Sequence, residues 1–258
     1  MSKKITRTEW RQQTRRNFLV AGVSAMAAAL GGVWLTTRTA DNGISWPLRR
    51  IHEVNETLWR KLFRRDQLGE TPSNVAGPAR VNGDIGLPES PDFSSWSLNV
   101  SALDESKPMS LTLSQLQQMP QTTTSEVFKC VEGWSQAIAY NGVRFSDFLK
   151  QSRLGTRDGQ IWHETMPIEN LYRYVGLATP DGEYYVSIDI ESLLHPKTVL
   201  ATHLNGEPLS LEHGAPLRLY IPVKYGIKNL KCLGRLFFSD TRPPDYWAER
   251  GYDWYAAL

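Results

Sequence analysis

Cysteine is scarce in this chain of 258 residues: Cys130 and Cys232 are the only two. Lying 102 positions apart, they exclude zinc-finger spacing, a Cys-x-x-Cys redox pair and a Cys-x-x-Cys-His haem attachment site. No Gly-x-Gly-x-x-Gly run is present, so a dinucleotide cradle is excluded too. No basic surface is encoded either, despite a net charge of +2. The first 40 residues hold seven of the 29 Lys/Arg and one of the 27 Asp/Glu, which leaves 22 bases against 26 acids, about −4, in the remainder. Such a body offers no electrostatic footprint for nucleic acid. Internal repeats and low-complexity tracts are absent as well.

What is present begins with 41 % hydrophobic residues, enough for one substantial core. The N-terminus has the layout of an address. Lys3, Lys4, Arg7 and Arg11 precede Thr14-Arg15-Arg16-Asn17-Phe18-Leu19-Val20, and an apolar, Ala- and Gly-rich stretch then runs from Phe18 to Leu35. Adjacent arginines followed by x-Phe-Leu read as a twin-arginine export signal, whose route carries proteins already folded. A cut after Ala40 would place Arg38 where a small residue is wanted. The apolar run of 18 residues therefore stands either as a removed signal or as an N-terminal membrane anchor.

Residues 45–68 show a helical apolar stripe, Trp46, Leu48, Ile51, Val54, Leu58, Leu62 and Phe63, opposed by arginines. This helix either packs on the domain or lies on a membrane surface. From Gly69 to Ser95 the Pro-, Gly-, Asn- and Ser-rich chain reads as irregular structure wrapped over a domain. Strands are expected at Ser97–Val100, Glu126–Val131, Gln160–Glu164, Tyr184–Ile188 and Pro216–Ile221. Helices are expected at Leu111–Met119, Phe145–Gln151 and Ile190–Leu194, with Ser110 and Ser146 as caps for the first two. These helices are too few and too short for regular βαβ winding, so the expectation is a single mixed α+β domain. Residues 1–40 form the signal or anchor, 41–78 a helical and irregular extension, and 79–258 the domain itself.

Two segments carry chemistry. The first is Phe128-Lys129-Cys130-Val131-Glu132-Gly133-Trp134-Ser135, in which an unpaired cysteine closes a β-type run. A thiolate there can act as a single soft ligand to a metal whose other ligands come from a cofactor. The second is His213-Gly214-Ala215-Pro216-Leu217-Arg218, followed by Lys224-Tyr225-Gly226-Ile227-Lys228-Asn229-Leu230-Lys231. An imidazole and a guanidinium flanking a turn suit an anionic phosphate. The lysines around Gly226 read either as further anion ligands or as a solvated basic turn. Gly226 itself is expected to use positive φ for close backbone approach.

Taken together with Arg242-Pro243-Pro244-Asp245-Tyr246-Trp247 and Gly251-Tyr252, these motifs resemble the molybdopterin domain of the sulfite oxidase superfamily. Within that superfamily the chain looks most like exported catalytic subunits of methionine-sulfoxide-reductase type, over roughly residues 80–258. The resemblance implies one molybdenum-molybdopterin per chain, bound within a single domain of the sulfite oxidase type with no dimerisation domain. It implies Cys130 as the metal ligand and catalytic centre, and Thr165, His213, Arg218, Asn229, Leu230 and Lys231 as cofactor contacts. Asn82, in Arg80-Val81-Asn82-Gly83, matches an asparagine at the start of the family's domain. Glu132, Trp134 and His163 lie near these motifs, with a buried structural role as the plainer reading.

The implied activity is oxygen-atom transfer of the sulfoxide-reductase kind, outside the cytoplasm. Electrons would pass through a separate membrane cytochrome b or soluble cytochrome c, since the chain has no haem, iron-sulfur or flavin motif. Two departures bear on direction. The Asn-Arg that follows the cysteine in sulfite oxidases is absent, yet His213 stands where the reductases carry asparagine. A sulfite dehydrogenase is thus the alternative, and a non-catalytic exported binding module the rival from another class. Cys232 reads as a buried apolar thiol, with a Cys130–Cys232 disulfide as the structural alternative.

Overall fold

In a computed structural model of the chain, residues 7–38, 41, 43–64, 77–89, 92–101 and 108–258 are described. Two units are distinguished, Met1–Glu53 and Val54–Leu258. The first contains helix α1 (Arg7–Thr36). Its Thr14–Thr36 stretch of 23 residues, mean hydropathy 1.9, is long and apolar enough to cross a bilayer. Helix α2 (Trp46–Leu62) begins in this unit and continues into the second.

The second unit then runs through β1 (Ser97–Ser101), β2 (Met109–Thr112), α3 (Leu113–Gln118), β3 (Gln121–Lys129), β4 (Ser135–Arg144) and α4 (Phe145–Ser152). It continues with β5 (Tyr174–Ala178), β6 (Tyr185–Asp189), α5 (Ile190–Leu193), β7 (Val199–Leu204), β8 (Glu207–Pro208), β9 (Arg218–Tyr220), β10 (Arg235–Ser239) and α6 (Tyr246–Glu249). One sheet has the order β2-β1-β10-β5-β6, in which only β1 and β10 are parallel. The other is antiparallel, β3-β4-β7-β8, with β9 also pairing β7. This is the expected α+β class.

Strand β7 shows how alternation places the site. Leu200 faces the main core of Leu98, Phe145, Phe148, Leu177, Leu219 and Phe238, whereas Val199 and Ala201 join a second cluster with Ile138, Tyr140 and Tyr220. The functional cavity opens beside that second cluster. Gly142 lies in β4 at the shift of register with β7, and an added Cβ there would meet the Leu200 carbonyl oxygen at 2.0 Å. Only glycine allows the two backbones to approach so closely.

Several expectations are corrected. The stretch 160–164 is irregular and leads into a turn. The residues expected to open a helix at Leu111 complete β2, and Thr112, not Ser110, caps α3 in a reciprocal box with Gln115. Helix α4 has no side-chain cap, so Ser146 does not serve as one. Strands β5 and β7 are buried on both faces for most of their length, and β4 and β10 place apolar Ala137, Ala139 and Phe237 on their less buried row, so none of the four shows clean polar–apolar alternation.

Candidate active site

The hairpin β3–β4 presents Cys130 at its tip. Its amide donates to Trp134 O at 3.0 Å and its carbonyl accepts from Gly133 at 3.1 Å, which closes a tight loop. Gly133 takes φ 89°, a conformation that costs glycine little. Phe128 and Trp134 stack across the hairpin at 5.7 Å, and the Arg80 guanidinium lies 4.8 Å from the Trp134 ring. Gln136 straps the 78–83 segment onto β4 by accepting from the Arg80 amide at 2.8 Å and donating to Pro78 O at 2.9 Å. That strap sets Asn82 Nδ2 at 3.5 Å from Cys130 Sγ.

Lys231 completes the arrangement. Its ammonium donates to Asn82 O at 2.7 Å, Gly83 O at 2.8 Å and Glu212 O at 2.6 Å, so all three protons are engaged by backbone carbonyls. Beside it Gly214 adopts φ 98°, and a Cβ there would meet Lys231 Cβ at 2.7 Å. Burial, with Arg218 adding to it, pushes the Lys231 ammonium down to about 8.

Arg218 opens β9 and is 4 % exposed. It donates through Nη1 to His213 O at 2.8 Å and through Nη2 to Asn229 O at 3.2 Å, with its guanidinium 5.0 Å from the Tyr140 ring. Its Nε is buried without a protein acceptor. The His213 ring lies between Ser210 Oγ at 2.8 Å and Ala79 O at 3.2 Å. Because a carbonyl can only accept, Nε2 carries the proton and Nδ1 accepts from the serine. Burial holds this imidazole below its ordinary pKa.

These side chains surround a cavity of about 230 Å³. Of the residues expected from sequence, Asn82, Cys130, His213, Arg218, Asn229 and Lys231 line it. Asn229 spends its side chain on shaping the turn, accepting from the Ile221 amide at 2.8 Å and donating to Lys224 O and Tyr225 O. Leu230 and Thr165 lie off the cavity. Leu230 is fully buried in the main core, and Thr165 is exposed in a turn at 3.0 Å from His163 Nδ1.

The lysines at 224 and 228 are neither solvated nor anion ligands. Both are buried, Lys224 facing Asp189 at 3.4 Å and Lys228 paired with Asp245. Although burial works to raise it, the Asp189 carboxyl is held below its usual range by Lys224, the Ser192 hydroxyl and amide, and Arg60. Gly226 does not use positive φ. It is required because a Cβ would meet the Phe128 ring at 2.8 Å. Sequence reasoning passed over Tyr140, Tyr184 and Arg80 as lining residues, and left Trp247 and Tyr252 without a role. The aromatic density from Tyr246 to Tyr255 was the available signal; Trp247 and Tyr252 meet edge to face at 5.0 Å.

Both cysteines are free thiols. Burial, then Asp181, pushes Cys232 up to about 11, so it stays protonated. Among the described residues, no group of three or more His, Cys, Asp and Glu converges to hold a metal. A metal on Cys130 therefore needs donors from a cofactor, and the unmatched Arg218 Nε beside the cationic Lys231 suits that cofactor's phosphate. The residues present fit the group. This constellation suits an anionic metal cofactor.

Residues 85–247 match the family described as the oxidoreductase molybdopterin binding domain, and the chain belongs to that family. It is a molybdenum cofactor-dependent oxidoreductase. It is 33 % identical over 248 residues, 93 % of this chain and 87 % of the relative, to the "Putative protein-methionine-sulfoxide reductase subunit YedZ1" of Azospira oryzae. It is 34 % identical over 158 residues to the protein-methionine-sulfoxide reductase catalytic subunit MsrP of Xanthomonas campestris, covering 60 % of this chain and 48 % of that protein. The chain thus spans most of the first relative and about half of the second. Among solved structures, the sulfane dehydrogenase SoxCD from Paracoccus pantotrophus aligns with TM-score 0.47 and 23 % identity, over 59 % of this chain and 40 % of that one.

Proposed function

We propose that residues 79–258 form the catalytic domain of an exported oxidoreductase that takes an oxygen atom from sulfoxides, with electrons supplied by a separate cytochrome. The observation that carries this reading is the free thiol of Cys130 facing a cavity that also holds a buried guanidinium with an unmatched Nε. The named relatives supply the substrate class.

Cys130 would hold the metal through its thiolate, Asn82 would donate to that sulfur, and Arg218 and His213 would receive the phosphate and pterin. A bound molybdenum centre supplies two-electron oxygen-atom exchange that no side chain here can perform. The protein's part is positioning and exclusion of water. Trp247 and Tyr252 line the cavity with aromatic surface suited to an alkyl-sulfur group. Lys231 keeps Asn82 in register with the thiol by donating to the successive carbonyls of Asn82 and Gly83.

Twin-arginine export, with α1 retained as an anchor, accounts for Arg15-Arg16 and the apolar Thr14–Thr36 stretch. Replacing both arginines by lysine should keep the protein in the cytoplasm, whereas normal export would point to another route. For the activity, protein from a molybdenum-competent host should contain molybdenum and pterin. It should oxidise a reduced dye when given methionine sulfoxide. Dye reduction by sulfite with no response to sulfoxide would replace this reading with the dehydrogenase one, and absence of metal and pterin would sink both.

A further inference from the structure

Helix α2 is amphipathic the wrong way round for a helix that only packs on a domain. Its polar and aromatic side grips the catalytic unit. Asn55 donates to Asp253 at 2.5 Å, Glu56 receives both oxygens' worth of Arg242 contact at 2.6 and 2.9 Å, Arg60 lies 5.5 Å from the Tyr255 ring, and Trp59 packs on Ala248, Trp254 and Tyr255. Its aliphatic residues point elsewhere. Leu48, Ile51, Val54, Leu58 and Leu62 recur at helical spacing and are each 39–63 % exposed. A helix stabilised by one apolar face normally buries that face. Here the apolar face is left for another occupant.

Three features identify the occupant as a lipid surface. The first is reach: residues 37–45 separate α1 from α2 and extend at most about 30 Å, so α2 stays within tether distance of any bilayer that α1 enters. The second is charge, since clear of the side that holds the catalytic unit α2 carries Arg50 and Lys61 against Glu53, a bias that anionic headgroups favour. The third is Trp46, 38 % exposed at the start of the helix, a residue type that settles at the membrane–water boundary.

We infer that α2 lies in the interfacial layer of the membrane on its Ile51–Val54–Leu58–Leu62 face while its opposite face holds the catalytic unit. The inference rests on the anchor reading of α1, but it is separately testable. The holoenzyme, as the full chain, would be reconstituted in phosphatidylethanolamine–phosphatidylglycerol vesicles. An environment-sensitive fluorophore would be placed in turn at Leu58→Cys, at Thr57→Cys on the polar side, and at Val23→Cys within α1. The native thiols, 6 % and 1 % exposed, are shielded from labelling.

Brominated lipid should quench the Leu58 and Val23 labels several-fold more than the Thr57 label. Quenching at Val23 with a water-exposed Leu58 label would overturn the inference and leave the anchor standing. Quenching at Leu58 without Val23 would remove the anchor and keep the α2 surface. A Leu58 label shielded only when a membrane protein is added would assign the face to that partner and overturn the lipid assignment. In Val54→Ser/Leu58→Ser protein, dye-coupled turnover should stay at the parental level while lipid quenching of a label at Leu62→Cys falls.

Discussion

Replacing Arg218 by methionine separates a cofactor-binding role from a structural one. Without cofactor, the change removes charge-assisted bonds to His213 O and Asn229 O, each contributing about 1.5–3 kcal/mol. It also removes a buried cation with an unmatched Nε, a group whose desolvation costs several kcal/mol. These terms nearly cancel, so the cofactor-free protein should melt within about 2–4 °C of the parent. With cofactor, the variant lacks a charge-assisted bond of about 1.5–3 kcal/mol, or roughly 10- to 100-fold in retention. The assay is molybdenum content by mass spectrometry and pterin fluorescence over a dialysis course, alongside the cofactor-free melting temperature. Arg218→Lys, which keeps the charge but not the fork, should fall between the two. Undiminished retention would refute the phosphate assignment, and a melting loss as large as the retention loss would make Arg218 structural.

Cys130→Ser should lose molybdenum-dependent turnover and the metal's sulfur-ligand signature in X-ray absorption while melting within about 2 °C of the parent, since one buried atom changes; a retained signature would remove Cys130 from the metal. Lys228→Met should cost about 3–5 kcal/mol in urea unfolding because Asp245, buried with it, keeps its charge without a counterion. The half-exposed Arg157–Asp240 pair is the control, where Arg157→Met should cost no more than about 1 kcal/mol. Lys231 has a folded pKa of about 8, below its ordinary 10.5, so its buried charge is penalised below pH 8 and the penalty lifts between pH 8 and 10.5. Cofactor-free parent protein should gain stability across that window relative to Lys231→Met, and parallel pH profiles would show that Lys231 is not the group responsible.

Motifs made the chemistry legible more than periodicity made the fold legible. Cys130, His213 and Arg218 were readable because together their motifs resemble a molybdopterin domain, whereas the residue pattern alone left the basic turn open to other uses. Much of the strand content was not, because β5 and β7 are covered on both faces and β4 and β10 carry Ala137, Ala139 and Phe237 on their less buried row, which blurs the period-2 signature. The basic run after Pro222 shows a different limit. Its lysines look alike in sequence, yet Lys224 and Lys228 point inward to Asp189 and Asp245, and Lys231 points to three carbonyls. Those acids lie 35 and 17 positions away from their partners, so no local pattern announces the pairs.

By itself, the sequence carried the motifs that resemble a molybdopterin domain, a thiol at Cys130 beside a glycine turn, and an apolar stretch near the N-terminus long enough to cross a bilayer. Those properties belong to residue types and their order. Only the tertiary structure decided that Asn82 reaches Cys130, that Lys231 is a tie between segments and that α2 turns its aliphatic face outward. Each depends on side chains far apart in the chain meeting at a few ångströms, which backbone topology sets and local spacing does not.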